Sequence, residues 1–560
     1  MITDTIKEQI QQVIKRLKLP EVDINLEHPG EESHGDYSCN IAMVLAAKAE
    51  KNPRELATAI VTELEKDKEL KKVVDKIEVA GSGFINFWLA NDCLINELEL
   101  INTDKQIIPS FLLGPAKKII VEFAHPNTHK LLHIGHLRNI SLAESIIRIL
   151  ETIGNKVIRA NYQGDVGMHI AKCIYGMMQT GEKTPKTLDE KIKYLGKSYQ
   201  EGNSYYENNE EAKQKIHVIN KKIYNRDPKI LKLWKKTRQW SLDYYDEFYK
   251  RVYSHFDRLY FESEVYDSGL KMSKQALKDG ILEKSKGAVV FNGDKYGLHT
   301  RVFITSEGNP TYEGKELGLA ELEFSEHGEI DKCIHIVGPE QASFFQVTFK
   351  AEELINSVKY QNKQLHYIYG FVQLAKGKMS SRKGTVITAQ WLLDEVKNKI
   401  TKSFDVDDKS AEIIMIGAVK YSMLKVDPKS EIAFDINQSI SLEGNSGPYL
   451  QYTYARCKSI ARKSENSKSD TSLQPNIEEL TILRTLYKYP EVVLEAGKTY
   501  SPNLICNYLF DLAQKYNTFY NKHKVIGGDN VQFRLQLTSA TAQVLKNGLK
   551  LLGIKTLEKM

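Results

Sequence analysis

Between residues 117 and 163 the apolar pattern changes period twice. KKIIVEFA is a short run with β-branched residues, the signature of a buried strand. GHLRNISLAESIIRILETIG then takes helical spacing and stops near Gly154, and NKVIRANYQ returns to a strand pattern. A strand, a helix and a second strand in that order form a βαβ unit, so the strands run parallel and helices must cover the sheet. KCIHIVG and LHYIYGFVQL, which flank the helical QASFFQVTFKAEELI, extend the same pattern. The spacing predicts a doubly wound α/β sheet over 115–395, interrupted at about 170–300 by a long, charged, helical insertion.

Two regions flank this sheet. Residues 1–95 read as a small α+β module. MITDTIKEQIQQVIKRLKLP is an amphipathic helix, and KIEVAGSGFINFWL alternates about a Gly-Ser-Gly turn, as a hairpin does. From 396 the chain turns helical, with a connector over 396–440 and an all-α region over 441–560. Ser441 to the end carries 16 Lys+Arg against 10 Asp+Glu, while the remainder balances at 62 of each. The whole excess charge of +6 therefore sits in the last region, which suits a polyanion.

No stretch reaches the roughly 18 apolar residues of a membrane span. The amphipathic start lacks an apolar signal core, and the six cysteines are scattered without a CxxC pair. A cytoplasmic protein without a membrane partner is expected.

Four of the fourteen histidines fall in HPNTHKLLHIGH, residues 125–136. Their spacing would suit metal only on one continuous helix, and Pro126-Asn127 argues against a helix starting that early. The phosphate reading fits better. His133-Ile134-Gly135-His136 lies where a helix begins after a strand, and helix N-termini receive anions. Two imidazoles three residues apart add donors where charge builds in phosphoryl or nucleotidyl transfer. Gly135 leaves room for a purine against the backbone. Downstream, KGKMSSRKGTVIT (376–388) is a loop of small residues carrying Lys376, Lys378, Arg382 and Lys383, able to clamp a triphosphate.

This pair resembles the HIGH and KMSKS signatures of class I aminoacyl-tRNA synthetases. From end to end the chain is similar to the arginyl-tRNA synthetases, through EFAHPNTHKLLHIGHLRN, ANYQGDVGMHIA, HGDYSCNIAM, VAGSGFINFWL, SGPYLQYTYAR and VLKNGLKLLGI. The resemblance implies a Rossmann-like catalytic domain, an N-terminal tRNA-contacting domain, an anticodon-binding C-terminal domain, and arginylation of tRNA through arginyl-adenylate, commonly with tRNA already bound. Its HIGH motif comprises Pro126, Asn127, Lys130, His133, Ile134, Gly135 and His136. His133, His136, Lys130 and Lys378 would be catalytic. ATP would meet Asn127, Lys130, His133, Gly135, His136, Gly164, Asp165, Lys378, Met379, Ser380 and Lys383. Arginine would meet Glu122, Asn127, Tyr312, Glu316 and Gln341. Mg²⁺ is expected with ATP but no tightly bound metal, and a monomer is expected.

Two departures stand out. Ser381 occupies the place of a KMSKS lysine, so Lys130 and Lys378 become the expected pyrophosphate-side cations, with Lys383 in reserve. Glu316 stands where the family carries Asp four residues after the tyrosine. A guanidinium is a flat, permanently charged fork that calls for a carboxylate, which Glu316 supplies. The rival readings are a small-molecule nucleotidyltransferase, a non-catalytic RNA-binding paralogue, and a class I enzyme for another amino acid such as lysine.

Overall fold

The computed structural model describes residues 2–103, 114–181, 185–375, 387–463, 475–527 and 529–560. The cationic stretch 376–386, with Lys376, Lys378, Met379, Ser380, Ser381, Arg382 and Lys383, lies outside the described residues.

Five parallel strands form the central sheet, in the spatial order Gln364–Ile368, Lys332–Val337, Lys118–Glu122, Lys156–Gln163, Arg258–Phe261. Their β-branched and aromatic residues suit a layer buried on both faces. The helix Ile134–Thr152 crosses from Lys118–Glu122 to Lys156–Gln163 and is almost wholly buried. The sheet thus has the expected parallel architecture. The segment read as a helical insertion is more mixed than its sequence suggested. Helices Met168–Thr180, Leu188–Asn208, Glu210–Tyr224 and Pro228–Arg251 come first. The chain then returns to the central sheet as the edge strand Arg258–Phe261, before a helix and a small antiparallel sheet of Glu283–Ser285, Ala288–Phe291 and Arg301–Ile304.

At the N-terminus, four antiparallel strands pack against helices, with Val74–Ala80 and Phe84–Leu89 joined through Gly81-Ser82-Gly83. Gly81 and Gly83 both take positive φ, which the tight turn requires. The connector is likewise not purely helical. Its Ile432–Phe434 pairs in parallel with Val372–Leu374, the last strand before the cationic stretch. The C-terminal helices then pack back on the crossover helix, where the Arg148 guanidinium donates to the Lys550 carbonyl at 3.2 Å. One apolar core runs through the N-terminal module, the crossover helix and the C-terminal helices. Tyr37 also donates to Glu491 at 2.6 Å, joining the two ends of the chain.

The helices Met168–Thr180 and Leu188–Asn208 approach until their backbones touch. A Cβ on Gly202 would overlap the Lys172 carbonyl, and one on Gly176 the Ser198 carbonyl. Gly202→Ala is therefore expected to destabilise by about 1–3 kcal/mol, as overpacking does. A clear fall in the apparent Tm of the insertion helices checks this, and an unchanged Tm contradicts it.

Candidate active site

The site lies where open α/β sheets place ligands, beyond the carboxyl ends of the central strands. After Glu122 the chain makes an unusual turn: Ala124, His125 and His129 all have positive φ, at 73°, 48° and 65°. Such conformations carry a cost and persist only where surroundings enforce them. Here the surroundings are visible. The Asn139 amide accepts from Ala124 N and donates to the Ile336 carbonyl, both at 2.6 Å, stitching two strand ends to the crossover helix. The Tyr245 hydroxyl faces the carbonyls of both Asn127 and Lys130 at 2.8 Å.

The four histidines divide into two pairs. His129 is buried, with Thr237 Oγ1 2.7 Å from Nε2 and Thr128 Oγ1 3.1 Å from Nδ1. Burial pushes its pKa down to about 3, so it is a neutral packing residue. His125 Nδ1 lies 3.6 Å from Glu122. His133 and His136 differ. Gly135 N donates to His133 Nδ1, and His133 N donates to His136 Nδ1, each at 3.1 Å. Both Nδ1 atoms are thus acceptors, so in each neutral ring the proton sits on Nε2. Burial, then Lys130, lowers His133; burial, then His133, takes His136 well below its ordinary value. The rings are 3.8 Å apart, two neutral Nε2–H donors at a helix start. Gly135 is required beside them, because a Cβ there would lie 2.9 Å from the His133 ring.

The segment just after the cationic stretch packs on this pair. Ile134 N donates to the Ile387 carbonyl at 3.1 Å, and Ala389 N to the Leu132 carbonyl at 2.9 Å. His133 also bridges Thr388. The H-x-G-H motif and the downstream end of KGKMSSRKGTVIT are therefore adjacent.

The other wall is acidic. Glu122 is 2% exposed and Glu316 4%, with Glu323 and Glu352 fully buried nearby. Glu122 Oε2, Glu316 Oε1, the Tyr162 hydroxyl and both amide atoms of Gln163 are buried without a hydrogen-bond partner among the described residues. Burial and the neighbouring acids raise Glu316 and Glu323 well above the carboxylate range. Burial pushes Glu352 up to about 8. Glu122 is the exception: burial opposes its charge, but His335 and His125 outweigh it and hold the carboxyl low. A wall of this kind favours a cation bearing several donors.

The remaining candidates fall in different places. Asn127 is exposed and bridges Gly164, where a Cβ would overlap its side-chain oxygen. Lys130 is half-buried, its Nζ 5.0 Å over the Tyr199 ring. Tyr312, 65% exposed, and Glu316 occupy the first turns of the helix Tyr312–His327. Gln341 is exposed just past the Lys332–Val337 strand. Asp165 follows Gly164 directly and has partners in the insertion. Its carboxylate is buried, bonded to Arg238 at 2.6 Å and to Ser263 N and Oγ at 2.9 and 2.7 Å, so it anchors the insertion. Sequence reasoning missed Tyr245, Asn139 and His335, whose partners lie far away along the chain. Among the described residues, no group of three or more His, Cys, Asp or Glu is arranged to hold a metal. No described helix is long and apolar enough to cross a membrane.

In the C-terminal region Tyr454, Tyr508 and Tyr516 are core, whereas Tyr452 is half-buried and Tyr520 exposed. The Arg456 guanidinium lies between the last two rings, 4.9 and 4.8 Å from their centroids. Tyr449 is half-buried and accepts from Asn517 at 2.9 Å.

Residues 99–436 match the family described as tRNA synthetases class I (R), catalytic domain. Residues 450–560 match the DALR anticodon binding domain, and 4–89 the arginyl tRNA synthetase N terminal domain. The arginine–tRNA ligase of Fusobacterium nucleatum is 32% identical, covering 100% of this chain and 99% of its own. That of Flavobacterium psychrophilum is 33% identical over 86% of this chain and 85% of its own. The solved structure of Thermus thermophilus arginyl-tRNA synthetase shares the fold, with a TM-score of 0.78 at 24% identity over 100% of both chains.

Nitrogen-15 spectra of histidine-labelled protein test the imidazole geometry. At pH 7, His133 and His136 should both appear as neutral Nε2–H tautomers, because their pKa values lie below the ordinary 6.5. An Nδ1–H tautomer or an imidazolium at that pH would contradict the assignment.

Proposed function

The chain belongs to the arginyl-tRNA synthetases, and from that premise we propose how its own residues divide the work. The enzyme ligates L-arginine to its tRNA at the expense of ATP. Arginine's carboxylate attacks the α-phosphorus and pyrophosphate leaves. The arginyl group of the adenylate then passes to the terminal adenosine of the tRNA, releasing AMP. Such transfers depend on positioning and on stabilising charge at phosphorus.

The Nε2–H donors of His133 and His136 bind the phosphates, and the positive end of the helix dipole lies behind them. Asn127, Gly135 and Gly164 shape the surface for ATP. Lys130 and Lys378 neutralise the leaving pyrophosphate, aided by Met379, Ser380 and Lys383. Asp165 serves the nucleotide only indirectly, by holding the insertion in place. Mg²⁺, if carried in with ATP, would supply positive charge to the triphosphate.

Arginine lies with its guanidinium and α-ammonium toward Glu122 and Glu316, with Asn127, Tyr312 and Gln341 at the rim. The observation that carries this reading is the acidic wall with its unpartnered oxygens. Burial and the neighbouring acids favour the protonated form of Glu316, and a docking guanidinium favours the carboxylate, the proton passing to solvent. Lysine, a point charge, would leave some of these buried groups unpaired, which is costly enough for strong discrimination.

Residues 1–95 contact the tRNA, and 441–560 read the anticodon. The Tyr452–Arg456–Tyr520 stack is a platform for unpaired bases. The enzyme acts as a cytoplasmic monomer.

ATP–pyrophosphate exchange with arginine and lysine, with and without tRNA, tests the reading. Exchange is expected with arginine alone of the two, and its absence with both would favour a non-catalytic RNA binder. Glu316→Gln should lower kcat/KM for arginine about 10- to 100-fold, the worth of a charged hydrogen bond. Near-wild-type activity would remove Glu316 from the pocket.

A further inference from the structure

Behind the acidic wall lies a residue to which the reaction assigns no role. His335 is fully buried on the central strand Lys332–Val337, in register with Glu122 on the neighbouring strand. Its Nδ1 lies 3.2 Å from Glu122 Oε1, and its Nε2 lies 2.9 Å from Gln364 Oε1. On the far side the Gln364 amide nitrogen donates to Glu352 at 2.8 Å. Each ring nitrogen therefore faces an oxygen acceptor, an arrangement satisfied when both carry a proton. Phe345 and Phe349, with centroids 5.0 and 5.3 Å away, close the site to water.

We propose that His335 is a positioning residue for arginine: a buried imidazolium, held by Gln364, that orients Glu122 and keeps it charged for the incoming substrate.

The physical need is plain. Glu122, Glu316, Glu323 and Glu352 are all buried close together, and an isolated buried carboxylate gives up its charge. Glu122 alone of the four is held below its ordinary range, and His335 is the largest influence doing so. Burial works against the second proton on His335, while the adjacent Glu122 carboxylate favours it, and the ring is raised well above its ordinary value. His125, 3.6 Å from Glu122, adds to the same effect from the pocket side. One ring proton is directed at Oε1, and the remaining acceptor capacity of Glu122 is shared between the substrate and the neighbouring carboxyl of Glu323.

This inference rests on Glu122 being an arginine ligand, so three variants are measured together for arginine, ATP and tRNA. His335→Gln keeps a donor but removes the charge. Gln364→Met removes the acceptor behind the ring together with the amide donor to Glu352, at a half-buried position. Glu122→Gln probes the pocket itself. The expected result is a rise in KM for arginine of tenfold or more in His335→Gln and severalfold in Gln364→Met, with kcat and KM for ATP within threefold of wild type. If His335→Gln does not fold, Gln364→Met decides. Should Glu122→Gln raise KM for arginine while the other two leave it within twofold, the role of His335 is overturned and the pocket stands. Should Glu122→Gln leave it unchanged, the pocket reading fails and this inference with it. A parallel loss of kcat, ATP affinity and Tm in Gln364→Met would make the contact merely structural and overturn the proposal.

Discussion

The start of the helix at His133 is the constraint on which the site depends. Its first backbone N–H groups are met by the two imidazoles of the motif itself. That capping has a chemical consequence: each Nδ1 is occupied, so each ring presents Nε2–H outward. The same few residues pair with Ile387–Ala389, which places the chain that follows the cationic stretch beside the imidazoles. Farther along, the same helix packs on the C-terminal helices and meets the Lys550 carbonyl through Arg148. One element therefore serves the phosphate site, the core and the junction with the C-terminal region.

The opposite wall works by a different principle. Four buried acids cannot all be ionised without cations, and the described residues supply His335 as the innermost one. Burial and the neighbouring acids favour the protonated form of Glu316, whereas His335 and His125 favour the charged form of Glu122. The pocket gains most from a ligand that brings both a permanent charge and a fan of donors, which is the chemistry of a guanidinium. Glu316, one methylene longer than the aspartate expected there, is buried on the helix Tyr312–His327.

Local pattern made much of this legible. Four central strands, the crossover helix and the glycine hairpin follow from period and turn chemistry. The fifth strand, Arg258–Phe261, escaped because four residues inside a charged helical stretch carry little signal, and its parallel partner Lys156–Gln163 is remote in sequence. His129 and His133 look alike as letters; only the distant Thr237 and Ser241 show that His129 is a packing residue. Asp165 sits in a motif that reads as nucleotide-binding, and its partners Arg238 and Ser263 in the insertion are not visible from that motif. His335 hides in an ordinary strand pattern, since its meaning comes from Glu122 and Gln364 on the two neighbouring strands. In each case the missing information was a tertiary partner.

The most direct measurement is a crystal structure of the enzyme with arginine and a non-hydrolysable ATP analogue. Phosphate oxygens should lie within hydrogen-bonding distance of His133 and His136 Nε2, with arginine's positive groups against Glu122 and Glu316. Imidazoles ligating a transition metal, or a nucleotide bound away from the start of the Ile134–Thr152 helix, would contradict the account.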